Sequence, residues 1–361
     1  MDRVWKRFGK IGNFTTIIYM TRNTPSMKPI KAKKSLGQNF LIDDEALTDI
    51  AHSIEIAGRH IIEVWPGYGA LTSYILSHHP ESLDLVELDP DMIELLDARF
   101  MGDEVAPEIH DAPEALVRTS PITIHHQDVL TFSPPYDEYS VIANIPYYIT
   151  SPILFHFLYP EYASSKKLWE IENDCKQWNG ESEGATLSER RLEQRTDERQ
   201  QRKSEFVDPS GAFGTFQSWK VHTWNPPTEM TIMMQEEVWE KILEWRAKKP
   251  HHSYLSLAME LACEDIDIVR YVWRGSFDPA PKVDSIVLRF RVKQERNRET
   301  EEKLLALWRV AFAQPRKTLL SNLRWTHYDI EEVKLWIWEC GYDEKVRAEA
   351  VKMEDWYTFD I

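Results

Sequence analysis

The feature that most restricts this chain is a series of short apolar runs, each meeting a polar residue at its far end. Residues 61–64, 83–87, 122–126 and 140–143 read as strands, and residues 71–78 and 91–100 between them carry helical periodicity. This alternation predicts an α/β fold with a parallel, doubly wound sheet, because a parallel neighbour needs a crossover long enough to hold a helix. In such sheets ligands sit beyond the carboxyl ends of the strands. Glu63, Glu87, Asp128 and Asn144 fall at those ends, one per strand.

The first strand runs into His60-Ile-Ile-Glu-Val-Trp-Pro-Gly-Tyr-Gly-Ala-Leu-Thr72, a Gly/Pro turn followed by a helix start. Gly67 and Gly69 allow backbone to approach a ligand, and the free N–H groups of a helix start can face it. An ordinary strand-to-helix loop would look the same when taken alone. At Asn144-Ile-Pro-Tyr147 an amide acceptor, a backbone fixed by Pro146 and the flat face of Tyr147 follow a buried strand. An exocyclic amino group on a base needs such acceptors and such a platform. The bland alternative is a strand-ending turn with core tyrosines.

A length of 361 residues suits about two domains, and 42% hydrophobic residues can fill a sizeable core. No run approaches the roughly 18 apolar residues of a spanning helix, so no membrane is expected. Cys175, Cys263 and Cys340 lie far apart, without metal-ligand spacing, which suits a reduced, cytoplasmic setting and predicts no metal. The net charge of −16 argues against broad nucleic-acid affinity. Basic residues nevertheless cluster in 1–34, in 289–298, and at Arg316, Lys317 and Arg324; solvated surface and RNA contact are equal readings of each. Residues 1–30 form a basic extension without a secretory apolar core, either a targeting segment or the product of an early start, since Met20 and Met27 follow. A first domain part spans 31–160, a charged and partly disordered insertion 161–228, a second domain part 229–292, and a small helical domain 293–361.

Taken in order, several segments resemble the ribosomal RNA adenine N6-dimethyltransferases of the small-subunit type. They are Gly37-Gln-Asn-Phe-Leu41, Glu63-Val-Trp-Pro-Gly-Tyr-Gly-Ala-Leu-Thr72, Val86-Glu-Leu-Asp89, Gln127-Asp-Val-Leu130 and Asn144-Ile-Pro-Tyr-Tyr148. Beyond the insertion come Met234-Gln-Glu-Glu-Val238, Phe277-Asp-Pro-Ala-Pro-Lys-Val-Asp-Ser285 and Ala311-Phe-Ala-Gln-Pro-Arg-Lys-Thr-Leu319. The resemblance covers about residues 31–160 and 229–355 and implies a Rossmann-like sheet that uses S-adenosylmethionine. It places Asn39, Leu41 and the turn of Glu63, Trp65, Gly67 and Gly69 at the methionine end of the cofactor. It places Glu87 at the ribose and Asp128 at the cofactor's adenine. Asn144 and Pro146 would take the target amino group, with Tyr147 and Phe277 stacking on the flipped ring. The implied partner is ribosomal RNA or a small-subunit precursor, and the implied state a monomer. The large-subunit adenine methyltransferases and a catalytically silent assembly or transcription factor stay open as alternatives.

Two positions depart from the pattern. Trp65 stands where the resemblance asks for glycine, and Pro315 stands where an arginine is usual. The chain holds 14 tryptophans against only 13 glycines, about half the usual glycine share. Some bacterial lineages read UGA as glycine, so a glycine at position 65 in the cell is one expectation; a non-methylating relative is the other.

Overall fold

The computed structural model describes residues 32–33, 36–101, 121–160, 224–243, 252–324, 326 and 328–359. The basic extension, most of the insertion, the extra length between Glu87 and Asp128, and Trp325 lie outside them. Residues 1–38 and 39–361 are separate compact units, and every element below belongs to the second.

The strands are β1 (Phe40–Leu41), β2 (His60–Val64), β3 (Ser82–Glu87), β4 (Ile122–His126), β5 (Ser140–Asn144), β6 (Glu229–Gln235), β7 (Cys263–Val272), β8 (Phe277–Asp278) and β9 (Ser285–Val292). The helices are α1 (Asp44–Ala51), α2 (Ala70–Ser77), α3 (Pro90–Phe100), α4 (Thr150–Leu158), α5 (Glu236–Leu243), α6 (Tyr254–Ala262), α7 (Arg298–Ala311), α8 (Leu319–Leu323), α9 (Ile330–Glu339) and α10 (Met353–Trp356).

Seven strands form one sheet in the order β4-β3-β2-β5-β6-β9-β7. The first five are parallel, as the alternation predicts, but β9 runs antiparallel to both β6 and β7. The sheet is therefore mixed. The reason is the short return between β7 and β9, which holds no crossover helix and so reverses the chain. The chain steps outward from β2 to β4, then returns to β5 on the other side of β2. That reversal opens the crevice at the carboxyl ends of β2 and β5.

Successive side chains point to opposite faces of a strand. Ile62 and Val64 enter a core under α4, α6 and the C-terminal helices, while Ile61 joins a second core under α1, α2 and α3. Glu63 shares the face of Ile61, so its carboxylate is carried toward α2. The C-terminal helices continue the first core, where Trp308 and Trp356 are fully buried.

Asp43 caps α1, accepting from the Ala46 N–H at 3.1 Å. The helix stops at Ala51. The Ser53 hydroxyl bonds back to the Ile50 carbonyl at 2.6 Å, and Ile54 and Ile56 then pack at a spacing of two. A two-stranded ribbon pairs Phe40 with Asp278 and Leu41 with Phe277, which joins segments far apart in sequence. The described end of the insertion, residues 224–228, meets the sheet at the edge away from the crevice. Trp224 lies 4.8 Å from His156 near the end of α4, and Thr228 donates to the Tyr139 carbonyl just before β5.

Candidate active site

The turn between β2 and α2 contains three left-handed residues: Trp65 (φ 54°), Gly67 (φ 55°) and Gly69 (φ 76°). Glycine adopts this region without cost, whereas a bulky aromatic there is an outlier. Trp65 still donates its N–H to Val86 O at 3.0 Å, and its half-buried indole leans on the larger core. The turn thus keeps the path a glycine would take. A Cβ on Gly67 would lie 2.9 Å from the Phe40 ring, and one on Gly69 would lie 2.5 Å from the Phe100 ring. Close packing below the turn therefore requires both glycines.

Two buried carboxyls stand next to this turn. Glu63 is 1% exposed and accepts from the Thr72 hydroxyl at 2.7 Å. Burial pushes its carboxyl up to about 8; Thr72 and Arg99 oppose the shift and Glu87 adds to it. At Glu87, Oε1 accepts the N–H groups of Leu88 (2.8 Å) and Asp89 (2.9 Å), and Oε2 accepts that of Gly67 at 3.3 Å. Burial raises this carboxyl too, against those three N–H groups. The bonds orient the group, and the single long contact leaves Oε2 with lone pairs to accept from a further donor. Asp128 follows β4, whose last residue pairs with Glu87; one of its oxygens caps the next turn at Leu130 N–H, 3.0 Å away.

On the other side of β2, Asn144 ends β5. Its amide makes no side-chain hydrogen bond to a described residue, so the fold leaves its acceptor and donors uncommitted. The Pro146 carbonyl accepts from Ile149 N–H at 3.2 Å and keeps a second lone pair. The half-buried Tyr147 is tied by its hydroxyl to Ser285 Oγ at 2.6 Å, at the start of β9. Asn39 and Leu41 arrive on the ribbon that also carries Phe277. Phe277 is 4% exposed and packs within the second core, so its ring face is covered in this conformation. The turn residues, Glu87, Asp128 and Asn144 are thus gathered at one sheet edge.

A profile of ribosomal RNA adenine dimethylases matches residues 30–171 and 216–360. The chain belongs to this family. The gap in the match falls inside the charged insertion. Relatives named ribosomal RNA small subunit methyltransferase A include that of Mycoplasmopsis pulmonis, 28% identical over 91% of this chain and 98% of its own. The one from Lactobacillus helveticus is 28% identical over 90% and 89%. Among solved structures, a dimethyladenosine transferase from Plasmodium falciparum aligns with a TM-score of 0.55 at 18% identity, covering 89% of this chain and 95% of that one. The 23S rRNA methyltransferase ErmE aligns with a TM-score of 0.53 at 19% identity, covering 88% and 96%. Both share the fold.

Membership of the dimethylase family implies S-adenosylmethionine as cofactor. The acceptors at the edge suit it: a rigid carboxylate at Glu87 for a diol, Asp128 for an amino group, and a glycine turn for close backbone approach.

Three contributors escape a reading of the sequence. The Phe40 ring lies against that of Tyr68, 3.9 Å between centroids and tilted by 33°, supporting the turn; its place between Asn39 and Leu41 is the only signal. Ser285 holds Tyr147, and Arg99 reaches the turn from α3. The basic run 289–298 has internal partners instead: Arg289 pairs with Glu229, Arg291 with Asp265 at 2.6 Å, and Arg296 with Glu301 at 2.7 Å. Acidic neighbours on β6, β7 and α7 neutralise those arginines.

Proposed function

We propose that this family member dimethylates N6 of adjacent adenines near the 3′ end of small-subunit ribosomal RNA. Bound S-adenosylmethionine supplies a methyl group already activated on a sulfonium. Glu87 and Asp128 hold the ribose and adenine of that cofactor, and Asn39, Leu41 and the turn through Gly67 and Gly69 line its methionine end. The Asn144 side-chain oxygen and the Pro146 carbonyl accept the hydrogens of the target amino group, drawing its lone pair out of ring conjugation and aiming it at the methyl. Tyr147, fixed by Ser285, is the platform for the everted base. Phe277 would have to leave its core to form a second platform, so the reading rests on Asn144 and Tyr147.

The observation that carries the reading is the uncommitted Asn144 amide at the same sheet edge as the Glu87 carboxylate. The small-subunit assignment is supported by relatives of that name matching nearly end to end. A silent RNA-binding factor is the second reading, favoured by the side chain at Trp65. The acidic charge favours a substrate recognised by particle shape, with weak binding to naked RNA; the widely spaced cysteines suit a cytoplasmic setting, and the family resemblance suits a monomer. Labelled methyl transfer to unmethylated ribosomal subunits tests all of this. Label in small-subunit RNA alone supports the proposal; label in large-subunit RNA, or none even after Trp65→Gly, refutes it.

A further inference from the structure

Arg99 lies in the last turn of α3, where a cation usually complements the helix dipole. Its guanidinium instead reaches across to the β2–α2 turn. Nη1 donates to the Tyr68 carbonyl at 2.7 Å, and Nη2 donates to Ser73 Oγ at 3.0 Å. Ser73 in turn donates to the Gly69 carbonyl at 3.1 Å. One planar fork thereby holds the chain on both sides of Gly69. The adjacent Phe100 ring fills the space where a Gly69 Cβ would stand, with the Arg99 guanidinium 5.2 Å from its centroid. The far end of the same helix begins at Asp89, whose N–H binds Glu87 Oε1. Helix α3 thus touches the ribose carboxylate at one end and the glycine turn at the other.

We propose that Arg99 is a positioning residue for the cofactor, fixing residues 67–73 so that the turn can receive its methionine end. This rests on the reading that the site takes S-adenosylmethionine. A charged hydrogen-bond donor in a buried site contributes more than a neutral one, and the rigid two-armed geometry is one that lysine reproduces only in part. The groups facing Glu63 are Thr72 on α2, Glu87 on β3 and Arg99 on α3. Arg99 is the one cation among them, so its loss also shifts the pH at which Glu63 ionises beneath the turn upward.

The test is calorimetric binding of S-adenosylhomocysteine and of adenosine, which lacks the methionine end, to the full chain carrying Arg99→Met, Arg99→Lys or Ser73→Ala. Each is measured with Trp65 and with Trp65→Gly. Arg99→Met should weaken S-adenosylhomocysteine about tenfold and adenosine less than about twofold. Arg99→Lys should recover part of the loss, and the pH midpoint of S-adenosylhomocysteine binding should rise in Arg99→Met but not in Arg99→Lys. Should Arg99→Met not fold, Ser73→Ala, which removes one arm, should still show the same selective loss. Equal losses for both ligands, or no loss for S-adenosylhomocysteine, would overturn the proposal while leaving the functional reading intact. If neither ligand binds any Arg99-containing form, the functional reading fails and the proposal with it.

Discussion

Replacing Trp65 by glycine should alter cofactor binding far more than stability. A tryptophan at φ 54° carries strain of about 1–2 kcal/mol, which glycine releases. Against that, glycine loses roughly 0.5–1 kcal/mol more backbone entropy on folding. Removing an indole only half buried against the larger core costs about 1 kcal/mol, part of the roughly 1.5–3 kcal/mol for a fully buried large side chain. These terms cancel to within about 1 kcal/mol, so the melting temperature should move by no more than about 2–4 °C. Cofactor binding has no such cancellation, because the indole borders the turn that must receive the ligand. Titration calorimetry with S-adenosylmethionine should show the Trp65→Gly protein binding at least about tenfold more tightly. Equal affinity in both proteins would refute the argument that this position calls for glycine. A loss of stability of about 1.5–2 kcal/mol, the sum of the entropy and burial terms alone, would show that the left-handed tryptophan is unstrained. Peptide mass spectrometry of the protein from its native source reads position 65 directly, and a glycine mass there is the expected outcome.

Three other perturbations follow from the site. Asn144→Ala should lower the methyl-transfer rate by about 10²-fold or more with cofactor affinity changed far less; near-normal turnover would remove Asn144 from its role. Ser285→Ala frees the Tyr147 hydroxyl and should raise KM for the particle several-fold, leaving cofactor affinity unchanged in the same calorimetric assay. Glu63 binds its proton more tightly in the fold than in the unfolded chain, since burial pushes it from 4.5 up to about 8. The stability it allows is therefore complete below about pH 4.5 and is lost as pH rises toward 8. Thermal melts of the parent should fall between about pH 5 and pH 8, by an amount equivalent to a few kcal/mol, and Glu63→Gln should flatten that slope; identical slopes would contradict the burial argument.

The parallel half of the sheet and its polar strand ends were legible because local signals agree there. Ile61, Ile62 and Val64 alternate faces, and Gly67 and Gly69 mark the turn, so the strand-end positions of Glu63, Glu87, Asp128 and Asn144 follow from the sequence alone. The antiparallel β9 was not legible, because the sequence of a strand does not report its direction. Pairings over long separations were hidden for a different reason. Leu41 against Phe277, Tyr147 against Ser285 and Arg99 against Tyr68 each depend on the tertiary path. The burial of Phe277 was not legible either, since an aromatic next to a motif reads alike whether it faces a ligand or a core. The arginines of 289–298 looked free only because their acidic partners lie on other strands and on α7.

The central claim is that one pocket at the carboxyl edge of the sheet seats a methyl donor beside an everted adenine. Incubating the Trp65→Gly protein with S-adenosylmethionine and unmethylated small subunits, then quantifying modified nucleosides in their RNA, tests it most directly. The account predicts N6,N6-dimethyladenosine confined to adjacent positions near the 3′ end and absent with Asn144→Ala. Small-subunit RNA left free of that nucleoside, by a protein that binds the cofactor, would contradict it.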